Sequence, residues 1–213
     1  MSTVAVFGAT GQTGRRVVDR LARAGHDVLA VSRRAGGGRS PQIRTATADL
    51  TRATVSELRK ILNGVHSVVF AAAGDPIRVD RDGALRVIEA AEQAGVTRLV
   101  LITGMGVGRT RPAEYYGGFW DTYFGAKEAS ERALRASGLS WTILQPGELL
   151  NDRGRDRVAL APTGSLPIGA VTRDDVAAVA TAVVDRADAA GHGWEVVDGN
   201  LSIESAIDAA VQR

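Results

Sequence analysis

Two groups of residues in this chain have the types and spacing to do chemistry. The first is Gly8-Ala9-Thr10-Gly11-Gln12-Thr13-Gly14, between the short apolar run Thr3 to Phe7 and the helical pattern Arg15 to Ala24. Glycine permits positive φ and lets backbone amides come close to a ligand. The N-terminus of a helix attracts an anion, and a Gly-rich turn between strand and helix is the context a phosphate cradle needs. The second is Tyr123-Phe124-Gly125-Ala126-Lys127. Residues four apart share a helix face. An ammonium one turn from a phenol stabilises the phenolate and suits the pair to proton transfer. Lys127 is one of two lysines, against 24 arginines. The plain alternative is a packed aromatic beside a lysine whose stem lies along the surface.

A third feature selects the nucleotide. The second strand, Val28 to Val31, runs into Ser32-Arg33-Arg34. An NAD site places an acid there to hold the ribose hydroxyls. Guanidiniums instead offer paired donors to a 2′-phosphate. The expected cofactor is NADP(H), held first by Arg33 and then by Arg34, unless these are two more exposed arginines in an Arg-rich chain.

The elements that must position these groups alternate strand and helix. Strands are expected at Thr3 to Phe7, Val28 to Val31, Ile43 to Ala46, Ser67 to Ala73, Leu99 to Thr103, Trp141 to Leu144 and Trp194 to Val197. Between them lie helical stripes. One opens with the capping pattern Thr54-x-x-Glu57, another with Thr172-x-x-Asp175. The strands are mostly continuous apolar runs, as when helices cover both faces of a parallel sheet. The fold class is therefore α/β, a single doubly wound parallel sheet of Rossmann type, with its ligand beyond the carboxyl ends of the strands. Residues 1–213 read as one domain. The segment 147–171 falls outside the strand and helix pattern and is expected as a substrate-side loop. Ala35 to Pro41 reads as a loop between strands. Gly104 to Gly108 and Gly147 to Pro167 are expected to form mobile pocket edges.

Six of the ten aromatic residues lie within ten positions: Tyr115, Tyr116, Phe119, Trp120, Tyr123 and Phe124. On a helix they make a broad aromatic face, either core or the wall of a site for a flat, apolar substrate. Phe124 is expected in the core. Tyr115, Tyr116, Phe119 and Trp120, with Met105 and Leu149, are expected at the pocket.

Composition narrows the classes. A chain of 213 residues without cysteine has no disulfide, thiolate metal site or cysteine nucleophile. Net charge is only +2 with both signs interspersed, so no nucleic-acid partner is expected. No apolar run is long enough to span a bilayer, and Met1-Ser2-Thr3 has no basic lead. A cytoplasmic protein is expected, with no membrane partner, as monomer or homodimer. His26, His66 and His192 have no metal-ligand spacing, and no metal is expected.

Gly8 to Gly14 resembles the GATGxTG signature of the atypical short-chain dehydrogenase/reductases, in particular the NAD(P)H-binding, NmrA-like group that includes the biliverdin IXβ reductase/flavin reductase type. The likeness continues in Asp49-Leu50, in Ser140 to Gly147 (the "TIxRPG" strand and turn) and in Thr172 to Ala177 (the "xRxDVA" helix start). It implies that Gly8, Thr10, Gly11, Gln12, Thr13 and Gly14 hold the pyrophosphate. Asp49 and Leu50 would flank the adenine, with Ala71, Ala72, Ala73 and Gly74 near the adenosine ribose. Lys127 would hold the nicotinamide ribose, and Pro146 and Gly147 would turn against the nicotinamide. It also implies that Tyr123 and Lys127 protonate a carbonyl oxygen, aided by a serine from a Ser-Ser pair after the fifth strand. Here that stretch is Thr103-Gly104. Either Thr103 supplies the hydroxyl, or the second position is the one that counts and the hydroxyl is absent. Many atypical members keep the Lys and lack the Tyr. The implied activity is NADPH-dependent reduction of a small carbonyl, quinone or flavin-like molecule. The alternatives are a non-catalytic NADP(H) sensor of NmrA type and an NAD-dependent epimerase or dehydratase, against which the two arginines argue.

Overall fold

Apolar runs closed by glycine or proline form the strands, and amphipathic stretches between them form the helices. The computed structural model describes residues 2–34 and 40–213. In chain order these contain β1 (Thr3–Phe7), α1 (Gln12–Arg23), β2 (Asp27–Ser32), β3 (Ile43–Thr47), α2 (Val55–Ile61), β4 (Ser67–Phe70), α3 (Asp82–Gln93), β5 (Arg98–Ile102), α4 (Gly118–Ala136), β6 (Ser140–Pro146), β7 (Glu148–Leu150), β8 (Arg157–Pro162), β9 (Ala170–Thr172), α5 (Arg173–Val184), β10 (His192–Asp198), β11 (Leu201–Ser202) and α6 (Ile203–Val211). A π-helical segment, Pro76–Arg81, leads into α3. Most of the expected Ala35 to Pro41 loop, residues 35–39, lies outside the described residues.

Nine strands form one sheet in the order β11-β8-β10-β6-β5-β4-β1-β2-β3. From β3 to β10 every pairing is parallel. Strand order reverses between β1 and β4, the switch point at which such sheets open a ligand crevice. The capping box at Thr54 and Glu57 forms in full, and the Thr172 side chain accepts from the Asp175 N–H at the start of α5. Apolar side chains of the sheet fill two cores. One lies under α1, α5 and α6 and includes Val17, Leu21, Val179 and Trp194. The other lies under α2, α3 and the end of α4 and includes Leu58, Val87, Leu99 and Leu134.

Two expectations need correction. The sheet is not wholly parallel: β8 runs antiparallel to β10, and β11 antiparallel to β8. The segment 147–171 is also not a free loop. It contains β7 and β9, paired in parallel as a small second sheet, and β8. Strand β8 has only Val158, Leu160 and Ala161 buried, a pattern too short to stand out. Its backbone groups are satisfied by β10, whose side chains are buried from Trp194 to Val197.

Trp194 is 1% exposed and Leu201 is 47% exposed. Trp194→Ala is expected to lower unfolding free energy by about 3–5 kcal/mol, and Leu201→Ala by less than about 0.5 kcal/mol, both measured by denaturant unfolding.

Candidate active site

The glycine loop leaves β1 and turns directly into α1. Gly8 has φ +80°, and the Gly11 N–H donates to the Gly8 carbonyl at 2.9 Å. A Cβ on Gly8 would lie 2.6 Å from the Ala72 Cα, and one on Gly14 would lie 2.1 Å from the Gly8 oxygen. Only glycine fits either place. Helix α1 begins at Gln12 with Gly11 as its cap, no capping side chain, and no acid in its first turn. Its first amides, at Gln12, Thr13 and Gly14, are therefore free for an anion.

A crevice of about 330 Å³ opens beside this turn, at the carboxyl ends of β1, β2 and β4. Gly8, Thr10, Gly11, Asp49, Leu50 and the Ala71, Ala72, Ala73 and Gly74 strip line it, as the sequence predicts. Arg33 lines it too. Arg34 does not: it is exposed, and its carbonyl accepts from the Ser32 hydroxyl at 2.6 Å. The Asp49 carboxyl is held below its ordinary range. The Thr51 N–H and hydroxyl are the main cause, and the Arg52 and Arg33 guanidiniums add to it. The crevice thus has the shape and donors for an adenosine phosphate.

A second cavity, of about 520 Å³, lies beyond the carboxyl ends of β5 and β6. Its wall includes Met105, Tyr115, Trp120, Tyr123, Pro146, Gly147 and Leu149, all expected from the sequence. Phe124 is 9% exposed yet also contributes to the wall. Two expected residues are not part of the wall. Tyr116 lies behind Arg111, whose guanidinium is sandwiched between the Tyr116 and Phe124 rings at 4.4 Å from each centroid. Phe119 is 60% exposed and stacks on Tyr123 from outside, at 5.9 Å. Arg111, Ile168 and Arg173 line the cavity although the sequence reading did not mark them. Arg111 and Arg173 were lost among 24 arginines, and Ile168 reaches the wall from the segment taken for a loop.

Helix α4 carries Tyr123 and Lys127 one turn apart. Tyr123 is half-buried at the cavity wall. Lys127 is 3% exposed, with its Nζ 5.7 Å from the Tyr123 ring centroid. That Nζ lies 2.7 Å from Asp80 Oδ1, and Asp80 is itself 1% exposed on the π-helical segment. The other Asp80 oxygen accepts from the Gly74 N–H at 3.2 Å. Sequence reasoning missed Asp80. The only available signal was that a lysine buried in a core needs a counter-charge.

Thr103 lines the same cavity but is buried, and its Oγ1 donates to Glu131 Oε1 at 2.7 Å. Glu131 also accepts from Gln145 Nε2 at 2.9 Å, and Gln145 Oε1 accepts from Thr163 at 2.7 Å. Gly104 occupies the place beside the phenol: a Cβ there would be 3.4 Å from Tyr123 Oη. The second position of the pair is the one facing Tyr123, and it has no side chain. The Thr103–Glu131 bond also ties the end of β5 to α4.

The expected mobile edges are held as well. Arg109 donates to the buried Glu195 at 2.6 Å and to the Leu166 carbonyl at 2.8 Å. The Leu166 N–H donates to the same carboxylate at 3.0 Å. These bonds fasten the stretches after β5 and after β8 to β10.

Among the described residues no three His, Asp or Glu side chains converge as metal ligands, and no helix is long and apolar enough to cross a membrane. A family model described as NAD(P)H-binding matches residues 8–187. An uncharacterized sugar epimerase of Bacillus subtilis, YhfK, is 29% identical over 96% of this chain and 98% of its own. A (4-alkanoyl-5-oxo-2,5-dihydrofuran-3-yl)methyl phosphate reductase of Streptomyces griseus is 31% identical over 91% of this chain and 67% of its own. A solved structure, described as a putative NAD-dependent epimerase/dehydratase from Bacillus halodurans, superposes with a TM-score of 0.87. It is 27% identical and covers 98% of this chain and all of its own.

Thr103→Val removes the donor to a buried carboxylate. It is expected to lower unfolding free energy by about 1–3 kcal/mol, read from denaturant midpoints at unchanged slope. No loss would mean that Glu131 is satisfied without it.

Proposed function

The chain belongs to the NAD(P)H-binding family, and from that premise we propose that it is an NADPH-dependent reductase of a small, flat carbonyl, quinone or flavin-like acceptor. One observation carries the reading. A phenol at the wall of a largely apolar cavity has a buried ammonium one turn along the same face of α4, on the sheet edge that also bears the glycine cradle. When bound, the dihydronicotinamide supplies a hydride.

The residues divide the remaining work. The free amides of α1 and the Gly8 turn hold the pyrophosphate. Arg33 holds the 2′-phosphate. Lys127 holds the nicotinamide ribose, and its charge favours the phenolate that Tyr123 leaves behind on giving its proton to the acceptor oxygen. The aromatic wall and Met105, Leu149 and Ile168 take the flat body of the acceptor and exclude water. With no side-chain hydroxyl at Gly104, Tyr123 is the proton donor of this reading, so an acceptor that water can protonate, such as a quinone or flavin, tolerates loss of the phenol. The Streptomyces griseus relative, named as a reductase, is consistent with this reading. The epimerase names of other relatives fit less well, because the β2 end offers Arg33 where a tightly held NAD would find an acid.

The primary test is NADPH oxidation against a panel of ketones, quinones and flavins. Turnover with at least one class is expected. No turnover, with tight binding of both NADP⁺ and NADPH, would make the protein a redox sensor instead. Arg33→Ala is expected to weaken NADP⁺ binding about tenfold or more while changing NAD⁺ binding little, measured by calorimetry; equal weakening of both would contradict the assignment. Tyr123→Phe is expected to slow ketone reduction by about 10²-fold or more. An unchanged ketone rate would place the proton source in solvent.

A further inference from the structure

We propose that Asp80 is the positioning residue of the reacting end: it fixes the Lys127 ammonium, and through it the place where Tyr123 and the cofactor ribose meet. For its catalytic consequence this rests on the reductase reading; for its geometry it does not.

The pair links a residue of one cavity to a residue of the other. Asp80 Oδ1 lies 2.7 Å from Lys127 Nζ as a buried ion pair without hydrogen-bond alignment, and Asp80 Oδ2 accepts from the Gly74 N–H at 3.2 Å. Gly74 lines the adenosine crevice. Lys127 lies one turn from Tyr123, and Tyr123 lines the other cavity. One carboxylate therefore spans from the end of β4 to α4. Among the described residues no other carboxylate lies within ion-pair distance of Lys127. A four-carbon lysine stem has many rotamers, and without a fixed partner its ammonium would wander by more than the ~1 Å that separates good from poor alignment.

The backbone around Asp80 is specialised for this placement. Asp75 caps the segment, accepting from the Ile77 and Arg78 N–H groups, and Pro76 opens it. The widened π turn then delivers Asp80 inward while its charged neighbours Arg78 and Asp75 stay exposed. Such turns are rare and concentrate at functional sites. An acid needed only for solubility would have stayed at the surface with them.

The chain's two lysines make a direct test possible, because lysine labelled with ¹³C at Cε gives only two resonances. In the native protein the Lys127 ε-protons are expected to be inequivalent, as for a fixed side chain, and Lys60 averaged. Asp80→Asn is expected to collapse the Lys127 pair toward the averaged pattern, and Asp80→Glu to keep it dispersed. Undiminished dispersion in Asp80→Asn would overturn the proposal, with or without enzyme turnover. In kinetics, Asp80→Asn is expected to lower kcat by about 10²-fold while leaving the acceptor KM within about twofold. The double variant Asp80→Asn/Lys127→Met, which buries no unpaired charge, is expected to be no slower than Lys127→Met alone. Additive losses would mean that Asp80 acts elsewhere and would overturn the proposal even if the single variant folds poorly. Failure of the wild-type protein to turn over any acceptor would sink the reductase reading, while the ε-proton pattern would still decide the role of Asp80.

Discussion

Helix α4 has two buried charged side chains on one face, and the position of Tyr123 at the cavity wall depends on satisfying both. At 3.6 residues per turn, Tyr123, Lys127 and Glu131 stand nearly above one another. An ionised side chain in the interior is costly unless it is paired. Lys127 finds Asp80 on the π-helical segment, and Glu131 finds Thr103 at the end of β5 and Gln145 on β6. These partners lie on separate elements, so the helix cannot slide or roll without breaking one of them. Tyr123, whose hydroxyl has no hydrogen-bond partner among the described residues, takes its position from the two charged residues below it and from the rings of Phe119, Trp120 and Phe124.

The same economy extends outward from α4. Gln145 passes the Glu131 network on to Thr163, and Arg109 with Glu195 draws the stretch around Leu166 against β10. The cavity beyond β5 and β6 is thus walled by segments tied to the sheet by polar bonds, with aromatic rings filling the gap between them. Trp120, Tyr123 and Phe124 meet edge-on or stacked at 5.1–6.0 Å. A wall of that kind is shaped before any ligand arrives, which favours rigid, planar ligands over long flexible ones.

The parts of the molecule legible in the sequence are those governed by local rules. The run Thr3 to Phe7, the glycines at 8, 11 and 14 and the stripe of α1 follow from burial, φ freedom and helix periodicity, each acting within a few residues. The Thr54 and Thr172 caps were visible for the same reason. What escaped depends on partners far along the chain. Strand β8 exists because β10 offers it a ladder, and its own pattern of Val158, Leu160 and Ala161 is too brief to announce it. The direction of the Thr103 hydroxyl is decided by Glu131, 28 residues later. Asp80 stands in a charged stretch, Arg78 to Asp82, in which nothing local marks one acid as the buried one. The distinction comes from the π turn and from a lysine 47 positions away. Tyr116 was misplaced because α4 starts only at Gly118, so Tyr116 lies before the helix with Arg111 packed on its ring; Phe119 was misplaced because helical spacing gives a face and not its depth.

The position of the dinucleotide links all of these features, and a crystal structure with NADP⁺ reads it directly. The pyrophosphate is expected over the Gly8 turn and the first amides of α1, the 2′-phosphate at Arg33, and the nicotinamide against Pro146 and Gly147 with its ribose beside Lys127 and Tyr123. A dinucleotide whose nicotinamide end lies away from the Tyr123 cavity, or whose 2′-phosphate makes no contact with Arg33, would contradict this assignment of the site.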